Sequence, residues 1–242
     1  MPLQRAVARS GVPGDCPDTV LPRAHSVLAA VGRPGEEAYY LGAILDAFRS
    51  GGTKVSALVL TRGDADPPPG GGAKPASSPQ AFEFEMASFV LRVTHRLMID
   101  TPDGGLGEAP ADARVRAVLD MIGQCSADLL LTADVGAVDS PVVDAVCAAG
   151  RTAGVPVLAW TLPADMAEKV LAAGGRGVPD RPVDEADFAI RVARKVQRRA
   201  MRAHRSQMEM EHAQIARLDV QGDREWLHWL VLPDRRAHTQ GR

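Results

Sequence analysis

The stretch SVLAAVGRPGEEAYYLGAILDAFRS, residues Ser26 to Ser50, decides the fold class of this chain. It begins with a short run of small and aliphatic residues, Ser26–Val31, which predicts a buried β-strand. A Gly-Arg-Pro-Gly turn follows, and apolar residues then recur at helical spacing as far as Phe48. Gly51 and Gly52 are typical of the end of a helix. A buried strand, a tight turn and a helix predict the first half of a β-α-β unit.

Strands and helices keep alternating from this stretch to Thr161. The later strands are apolar runs, and the segments between them have helical periodicity. We predict strands over Lys54–Leu60, Arg96–Ile99, Asp128–Thr132 and Val155–Thr161, and helices over Glu36–Ser50, Ala81–Leu91, Ala111–Gln124 and Pro141–Ala153, the last with Ser140 as its N-cap. Apolar strands that alternate with helices predict a Rossmann-like α/β fold, with a mostly parallel sheet and helices on both faces.

The two ends and the last third of the chain have weaker patterns. We predict a flexible N-terminal arm over residues 1–24, a single α/β domain over residues 25–232 and a frayed tail over residues 233–242. Within the last third, the pattern predicts a helix over Pro163–Ala173, a short strand over Asp187–Val192, one long helix over Ala193–Ala216, and a last strand or docking segment over Glu225–Leu232.

The composition is that of an ordinary globular protein. Apolar residues make up 45% of the chain, charged residues 24%, and the net charge is −2, which predicts neither a nucleic-acid nor a membrane partner. Three cysteines without a CxxC pair, and no apolar leader in the first 25 residues, predict a cytoplasmic protein. Residues 191–205 hold seven Arg and Lys and no acid. This basic segment predicts a solvated helix face, with an anionic partner as the alternative.

The carboxyl ends of the predicted strands are where an open parallel sheet binds its ligands. In this chain those ends lead into Gly32–Glu37, Thr61–Asp66, Asp100–Leu106 and Ala133–Asp139. A dinucleotide site would need the pattern G-x-G-x-x-G after the first strand, and GRPGEE lacks it. Two glutamates at the start of the helix would also repel a pyrophosphate there. Arg62, after the second strand, is kept as a candidate ligand contact.

Four segments, in order along the chain, resemble the PIG-L/LmbE-like N-acetylglucosaminyl deacetylase family. They are the first strand with its turn and helix, GGTKVSALVLTRGD at residues 51–64, PDGGL at residues 102–106 and AHRSQ at residues 203–207. Members of that family remove an acyl group, typically acetyl, from the nitrogen of an amino sugar with a bound zinc ion. The resemblance spans roughly residues 26–207 and implies the same α/β fold for this chain.

The residues that would carry the zinc chemistry are replaced in this sequence. The family has Ala-His-Pro-Asp-Asp-Glu after the first strand, in which the His and the second Asp bind zinc and the first Asp is the general base. In GRPGEE, Arg33 stands for the ligand histidine, Gly35 for the base and Glu36 for the ligand aspartate. A guanidinium has no lone pair to give to a metal. The family's second motif, His-Pro-Asp-His, aligns with residues 136–139, which puts Asp139 in the place of its last ligand histidine. An alignment shifted by two positions is the alternative.

These replacements leave two interpretations of the loop after the first strand. In the first, Arg33 lies between Glu36 and Asp139 in an ion cluster that takes the place of zinc. In the second, Arg33 points to solvent, and the glutamates only favour the helix N-terminus. The candidate residues are Glu36, Glu37 and Asp103 for catalysis, Arg33, Tyr39, Arg62 and Asp103 for substrate binding, and Arg33, Glu36 and Asp139 as degenerate metal positions. His204, in AHRSQ, is expected to pack on the late helix.

The resemblance and the replaced residues together suggest a function. We expect a protein that has lost zinc-dependent N-acyl hydrolysis, uses no cofactor and binds a small sugar-type molecule in the inherited pocket. One alternative is an altered reaction that uses acidic residues such as Glu36, Glu37, Asp103 or Asp139. The other is an active deacetylase of an N-acyl amino sugar or related amide, which would require zinc or another divalent cation. Homo-oligomerisation is left open.

Overall fold

The computed structural model describes residues 19–63, 79–101, 110–133, 135, 140–179, 182–184 and 186–233. Its strands are β1 (Ser26–Val31), β2 (Lys54–Val59), β3 (His95–Met98), β4 (Leu129–Ala133), β5 (Val157–Thr161), β6 (Phe188–Arg191) and β7 (Arg224–Val231). Its helices are α1 (Glu36–Tyr39), α2 (Gly42–Ser50), α3 (Pro79–Leu91), α4 (Ala111–Cys125), α5 (Pro141–Ala153), α6 (Ala164–Ala172), α7 (Arg194–Met201) and α8 (Met208–Gln221).

The described strands form one mostly parallel sheet of seven strands in the order β3-β2-β1-β4-β5-β7-β6. The strands from β1 to β5 are parallel, whereas β7 is antiparallel to both of its neighbours. This confirms the predicted α/β fold. The segment predicted as a last strand or a docking segment is therefore a strand, and it lies inside the sheet. Since β1 is the middle one of the five parallel strands, the loop that follows it opens at the centre of the carboxyl edge of the parallel part of the sheet.

Side chains of β1 explain why its sequence is apolar without alternation. Val27, Ala29 and Val31 belong to the core that packs under α1, α2, α3, α6, α7 and α8. Leu28 and Ala30 belong to the core on the opposite face, under α4 and α5. Because both faces of the strand are covered by helices, every residue of β1 is buried. None of the helices that the structure describes is long and apolar enough to span a membrane.

Two predicted helices are interrupted in the structure. The helix predicted over Glu36–Ser50 is divided into α1 and α2, and the single helix predicted over Ala193–Ala216 is wrong, because α7 ends at Met201 and α8 begins at Met208. Between α7 and α8 lies a short 3-10 turn, Arg205–Gln207. The helical periodicity continues through both breaks, so sequence pattern did not reveal them. The side chains that hold the breaks make hydrogen bonds to distant segments, described below.

The two chain ends are described only in part. Thr19 lies in the predicted flexible arm, and its backbone N–H donates to the carbonyl of Ala189 in the edge strand β6 at 2.6 Å. The Thr19 hydroxyl in turn accepts from the Ala189 N–H at 2.9 Å. Residues 1–18 and 234–242, which hold most of the predicted arm and tail, lie outside the described residues.

Candidate functional site

The loop Gly32–Glu37 sits at the carboxyl end of β1 and leads directly into α1. Gly35 makes the turn with a φ of 101°, a conformation that L side chains rarely adopt. A Cβ at this position would lie 2.7 Å from Cε2 of Tyr39 and 2.9 Å from Oε1 of Gln207. The Gly35 carbonyl accepts the N–H groups of Ala38 and Tyr39 and so begins the helix. Glycine is therefore required here by conformation and by close approach.

Glu36 is bonded to the backbone of its own loop. Its Oε2 accepts the N–H of Gly32 at 2.9 Å and that of Arg33 at 3.2 Å. Within the described part of the chain, Oε1 has no hydrogen-bond partner. Burial raises the pKa of Glu36 to about 7, against the two backbone N–H groups and the nearby Arg33 charge, which lower it. Glu36 is therefore a carboxyl group held in one orientation, with a pKa near neutrality and one oxygen that the described residues leave without a hydrogen bond.

Glu37 is fully buried and both of its oxygens are occupied. Oε2 accepts the Gly35 N–H at 2.7 Å, and Oε1 lies 2.8 Å from Nε2 of His204. His204 is also fully buried, and its Nδ1 has no hydrogen-bond partner among the described residues. A proton on Nδ1 would be left without an acceptor, so the pattern favours the tautomer in which Nε2–H donates to Glu37. Glu37 therefore acts as a buried structural group.

The AHRSQ segment holds this loop from the far end of the sequence. Gln207 donates from Nε2 to the carbonyl of Pro34 at 2.8 Å. Ser206 donates from its backbone N–H and its hydroxyl to Glu83 of α3, at 2.7 and 2.6 Å. The expectation that His204 merely packs on a helix is corrected, because it lies in the break after α7 and hydrogen-bonds Glu37. Polar contacts of His204, Ser206 and Gln207 thus position the site loop against α3 and α7.

The other predicted site residues lie in different environments. Arg33 is exposed, and its charge acts on the neighbouring Glu36. Arg62 forms an ion pair with Asp100 at 2.7 Å, at the carboxyl ends of β2 and β3. Tyr39 is 2% exposed, and its ring lies 5.8 Å from that of His204. Asp103 and Asp139 lie outside the described residues, so their roles and the proposed ion cluster stay predictions.

A buried polar network beneath the site was not predicted from the sequence. The break between α1 and α2 leaves the Ala38 and Tyr39 carbonyls free to accept from other segments, and Gln197 donates to both, at 3.3 and 2.8 Å. Arg217, fully buried, donates to the Tyr39 carbonyl at 2.5 Å and to side chains of its own helix α8. Its guanidinium also lies over the rings of Tyr40 and Trp160, at 5.3 and 4.9 Å. The only sequence signal was polar residues spaced along one helix face.

Glu225 supplies the negative charge of this network. Its carboxylate forms an ion pair with Arg194 and accepts from Nε1 of Trp160 at 2.6 Å. Burial lowers the pKa of Arg217 to about 10, although the charge of Glu225 opposes that shift. Arg217 therefore remains a cation at neutral pH inside the core. Through Tyr39, this cation supports the helix that carries the site loop.

The side chains of the site loop do not form a zinc donor set. Arg33 offers no lone pair, and both oxygens of Glu37 are hydrogen-bonded within the protein, so Glu36 is the remaining carboxylate. Across the described ranges of the chain, no three His, Cys, Asp or Glu side chains are grouped so that they could hold a metal ion. The donor chemistry of this loop does not fit the metal that the family resemblance implies.

The Glu36 carboxyl should make stability depend on pH. Its pKa rises from 4.5 in the unfolded reference to about 7 on folding, so its contribution is fully present below about pH 4.5 and is lost as the pH rises through about 7. We expect Glu36→Gln to remove roughly 2–3 kcal/mol of that pH dependence, as measured by urea denaturation of both proteins across this range. Exposed Glu168→Gln is the matched control and should leave the pH profile unchanged. Parallel profiles for wild type and Glu36→Gln would contradict the assignment.

Solved structures share this fold over most of the chain. The A40926 pseudoaglycone deacetylase superposes with a TM-score of 0.64 at 21% identity, over 86% of this chain and 97% of that chain. The N,N'-diacetylchitobiose deacetylase from Pyrococcus horikoshii gives 0.54 at 14% identity, over 86% and 84%. The 4-carboxy-2-hydroxymuconate hydratase from Pseudomonas putida gives 0.61 at 12% identity, over 86% and 96%. No protein-family model and no curated protein sequence matches the chain.

These likenesses confirm the fold that the sequence resemblance implied. The chain has the fold of the PIG-L/LmbE-type deacetylases. Since a hydratase also has this fold, the architecture does not decide which reaction, if any, the site performs. The residues at the carboxyl edge must decide that.

Proposed function

We propose that this protein has given up zinc-dependent N-acyl hydrolysis and binds a small, sugar-type molecule at the carboxyl edge of its sheet. In this proposal, Glu36 is the carboxyl group that contacts the ligand. Arg33 lies beside it on the exposed side of the loop and provides a cation where the related deacetylase motif has a metal ligand.

The proposal rests on the hydrogen bonds that the carboxyl oxygens of the loop already make within the protein. Glu37 is bonded to Gly35 and His204, and Oε2 of Glu36 is bonded to Gly32 and Arg33. Within the described loop this leaves one carboxyl oxygen, which cannot form a zinc site by itself. A single oriented carboxyl group can, however, hydrogen-bond a hydroxyl or amide of a bound molecule.

A sugar-type ligand suits this carboxyl group. Because the pKa of Glu36 is about 7, it is protonated in a large fraction of molecules near neutral pH and can then donate as well as accept a hydrogen bond. Hydroxyl and acetamido groups offer both donors and acceptors. The structural neighbours include a deacetylase of N,N'-diacetylchitobiose, which is consistent with a pocket for amino-sugar derivatives.

The same carboxyl group favours one second candidate, an enzyme with altered chemistry. A general acid or base works best when its pKa lies near the operating pH, and Glu36 meets that condition. Such an enzyme would take a proton at Oε1 while Oε2 stays bonded to the loop. Binding without turnover remains the primary proposal because Glu36 is the one carboxyl group of the described loop that keeps an oxygen for a ligand, whereas both oxygens of Glu37 are bonded within the protein.

The test combines metal analysis, ligand binding and turnover on the purified full chain. We expect substoichiometric zinc, no hydrolysis of N-acetylglucosamine derivatives with added divalent ions, and a rise in melting temperature with such sugars that Glu36→Ala abolishes. Glu168→Ala is the matched control and should keep the ligand-induced shift. Stoichiometric zinc with turnover would instead establish an active metal-dependent deacetylase. Metal-free turnover that is lost in Glu36→Ala would establish the altered enzyme.

A further inference from the structure

Helix α3 exposes a row of large apolar side chains on its outer face. Phe82 is 67% exposed, Met86 43% and Phe89 77%. Their spacing of four and three residues puts them on one stripe of the helix. The opposite face of α3 is already buried in the core through Phe84, Ala87 and Leu91, which also lie in this helix. The outer stripe is therefore not needed to hold α3 on the sheet.

Helix α7 packs beside α3 in the same layer and exposes a row of cations. Lys195 and Arg199 of the helix and Arg202, its C-cap residue, have the same spacing of four and three residues, and all three are exposed. In the described ranges none of them has a carboxylate within ion-pair distance, whereas Arg194 and Arg198 of the same helix are paired with Glu225 and Asp219. In the part of the chain that the structure describes, these three exposed cations therefore have no carboxylate partner, unlike Arg194 and Arg198. We call the two rows together the α3/α7 face.

We propose that the α3/α7 face is a docking surface for an anionic lipid bilayer. Phenylalanine and methionine side chains on an exposed helix can enter the boundary between headgroups and acyl chains. Lysine and arginine side chains beside them are attracted to anionic headgroups, and their effect adds per residue. The α3/α7 face therefore combines apolar side chains that can insert into a bilayer with cations that are attracted to its anionic headgroups. The overall charge of −2 conceals this local excess.

Charge and shape argue against the other occupants of such a face. A second copy of the chain docked by its own α3/α7 face would bring two unpaired cationic rows towards each other. A helical peptide requires a groove that encloses its apolar side, whereas here the phenylalanines project from a convex helix surface. A fluid bilayer accepts projecting side chains without a preformed cavity and supplies negative charge at the same level.

Docking on this face would hold the candidate site near the headgroup layer. The segment after α7 bonds the site loop through His204 and Gln207, and bonds α3 through Ser206. The site loop is therefore hydrogen-bonded to the segment that follows α7, and that segment is hydrogen-bonded to α3. This surface inference does not depend on whether the site binds or transforms its ligand.

Vesicle sedimentation of the full chain tests the proposal. We expect binding to phosphatidylcholine vesicles that contain phosphatidylserine, weaker binding to pure phosphatidylcholine, and weakening at high salt because screening reduces the cationic attraction. The charge variant Lys195→Glu/Arg199→Glu and the apolar variant Phe82→Ser/Phe89→Ser should each bind at least about tenfold more weakly. All four residues are exposed, so both variants should keep the wild-type melting temperature.

Two matched control variants make the same kinds of substitution elsewhere on the surface. Lys54→Glu/Arg151→Glu reverses two charges away from the α3/α7 face, and Leu171→Ser removes an exposed apolar residue on α6; both should bind like wild type. Absence of binding to the phosphatidylserine vesicles would overturn the proposal, as would equal losses in the controls. It would also be overturned if the apolar variant abolished a dimer, or if an oligonucleotide or acidic peptide bound this face while vesicles did not.

Discussion

Replacing His204 by alanine should lower the free energy of unfolding by about 3 kcal/mol, which is a large part of the stability of a domain of this size. Both members of the Glu37–His204 pair are fully buried, at a distance of 2.8 Å. Alanine would leave a buried carboxyl oxygen without its imidazole partner and would also leave a cavity. Because Glu37 also holds the Gly35 N–H, we expect the site loop to lose its geometry and the ligand-induced rise in melting temperature to fall.

The chain supplies a matched control for this buried pair. His25 and Asp128 form the same kind of contact at 3.0 Å, but the imidazole is fully exposed and the carboxylate is 43% exposed. His25→Ala should therefore cost much less than His204→Ala in the same urea denaturation experiment. Equal losses for His204→Ala and His25→Ala would refute the structural role of the buried pair. The double variant Glu37→Leu/His204→Leu should lose less than the sum of the single changes, since neither side chain of the pair is then buried without the other, although the Gly35 N–H loses its acceptor in the double variant too.

Replacing Arg217 by alanine should destabilise the protein by about 4 kcal/mol. The guanidinium bonds the Tyr39 carbonyl, Gln214 and Gln221, and packs over two aromatic rings. Its removal would take one donor from each of these buried groups, leaving Gln197 as the remaining side-chain donor that the structure describes for the Tyr39 carbonyl, and would empty a large volume of the core. Since the Tyr39 carbonyl lies at the break between α1 and α2, the change should also increase hydrogen exchange of the α1 amides.

An exposed ion pair between an arginine and an aspartate provides the comparison for Arg217. Arg198 is bonded to Asp219 at 2.7 Å, with side chains that are 37% and 63% exposed. Arg198→Ala should change the free energy of unfolding by less than about 1 kcal/mol. Arg217→Lys keeps a cation but not the planar guanidinium with its several donors. We therefore expect Arg217→Lys to lose most of the free energy of unfolding that Arg217→Ala loses. If Arg217→Ala cost no more than Arg198→Ala, the buried network would not support the helix break.

The carboxyl-edge loop shows how far sequence interpretation reached into the site. The apolar run and turn correctly placed Arg33, Glu36 and Glu37 after β1, because strand and turn signals are local. Both adjacent glutamates were candidates for catalysis, but the structure separates them: among the described residues Oε1 of Glu36 has no hydrogen-bond partner, whereas both oxygens of Glu37 are bonded inside the protein. The partner of Glu37 is 167 residues away along the chain, and no spacing rule connects such positions.

The distribution of charge is a second feature that the sequence showed only in part. The sequence gives the net charge of −2 and a basic segment at residues 191–205, from which a solvated helix face was the simpler expectation. Folding pairs Arg194 and Arg198 with acids, leaves Lys195, Arg199 and Arg202 unpaired in the described part of the chain, and sets α7 beside the exposed phenylalanines of α3. The net charge does not show which cations are paired or on which surface the remaining cations lie.

The sequence by itself determined the alternation of strands and helices as far as β5, the buried character of β1 and the position of the candidate loop after it. These follow from periodicity and turn chemistry within about twenty residues, where the chain's own geometry sets which side chains share a face. Only the tertiary structure decided that α7 stops before His204, that Arg217 supports the break after Tyr39, and that Glu36 rather than Glu37 keeps an oxygen without a hydrogen-bond partner among the described residues. Buried polar groups must find partners wherever folding brings them, so the contacts that define this site come from segments far apart in sequence.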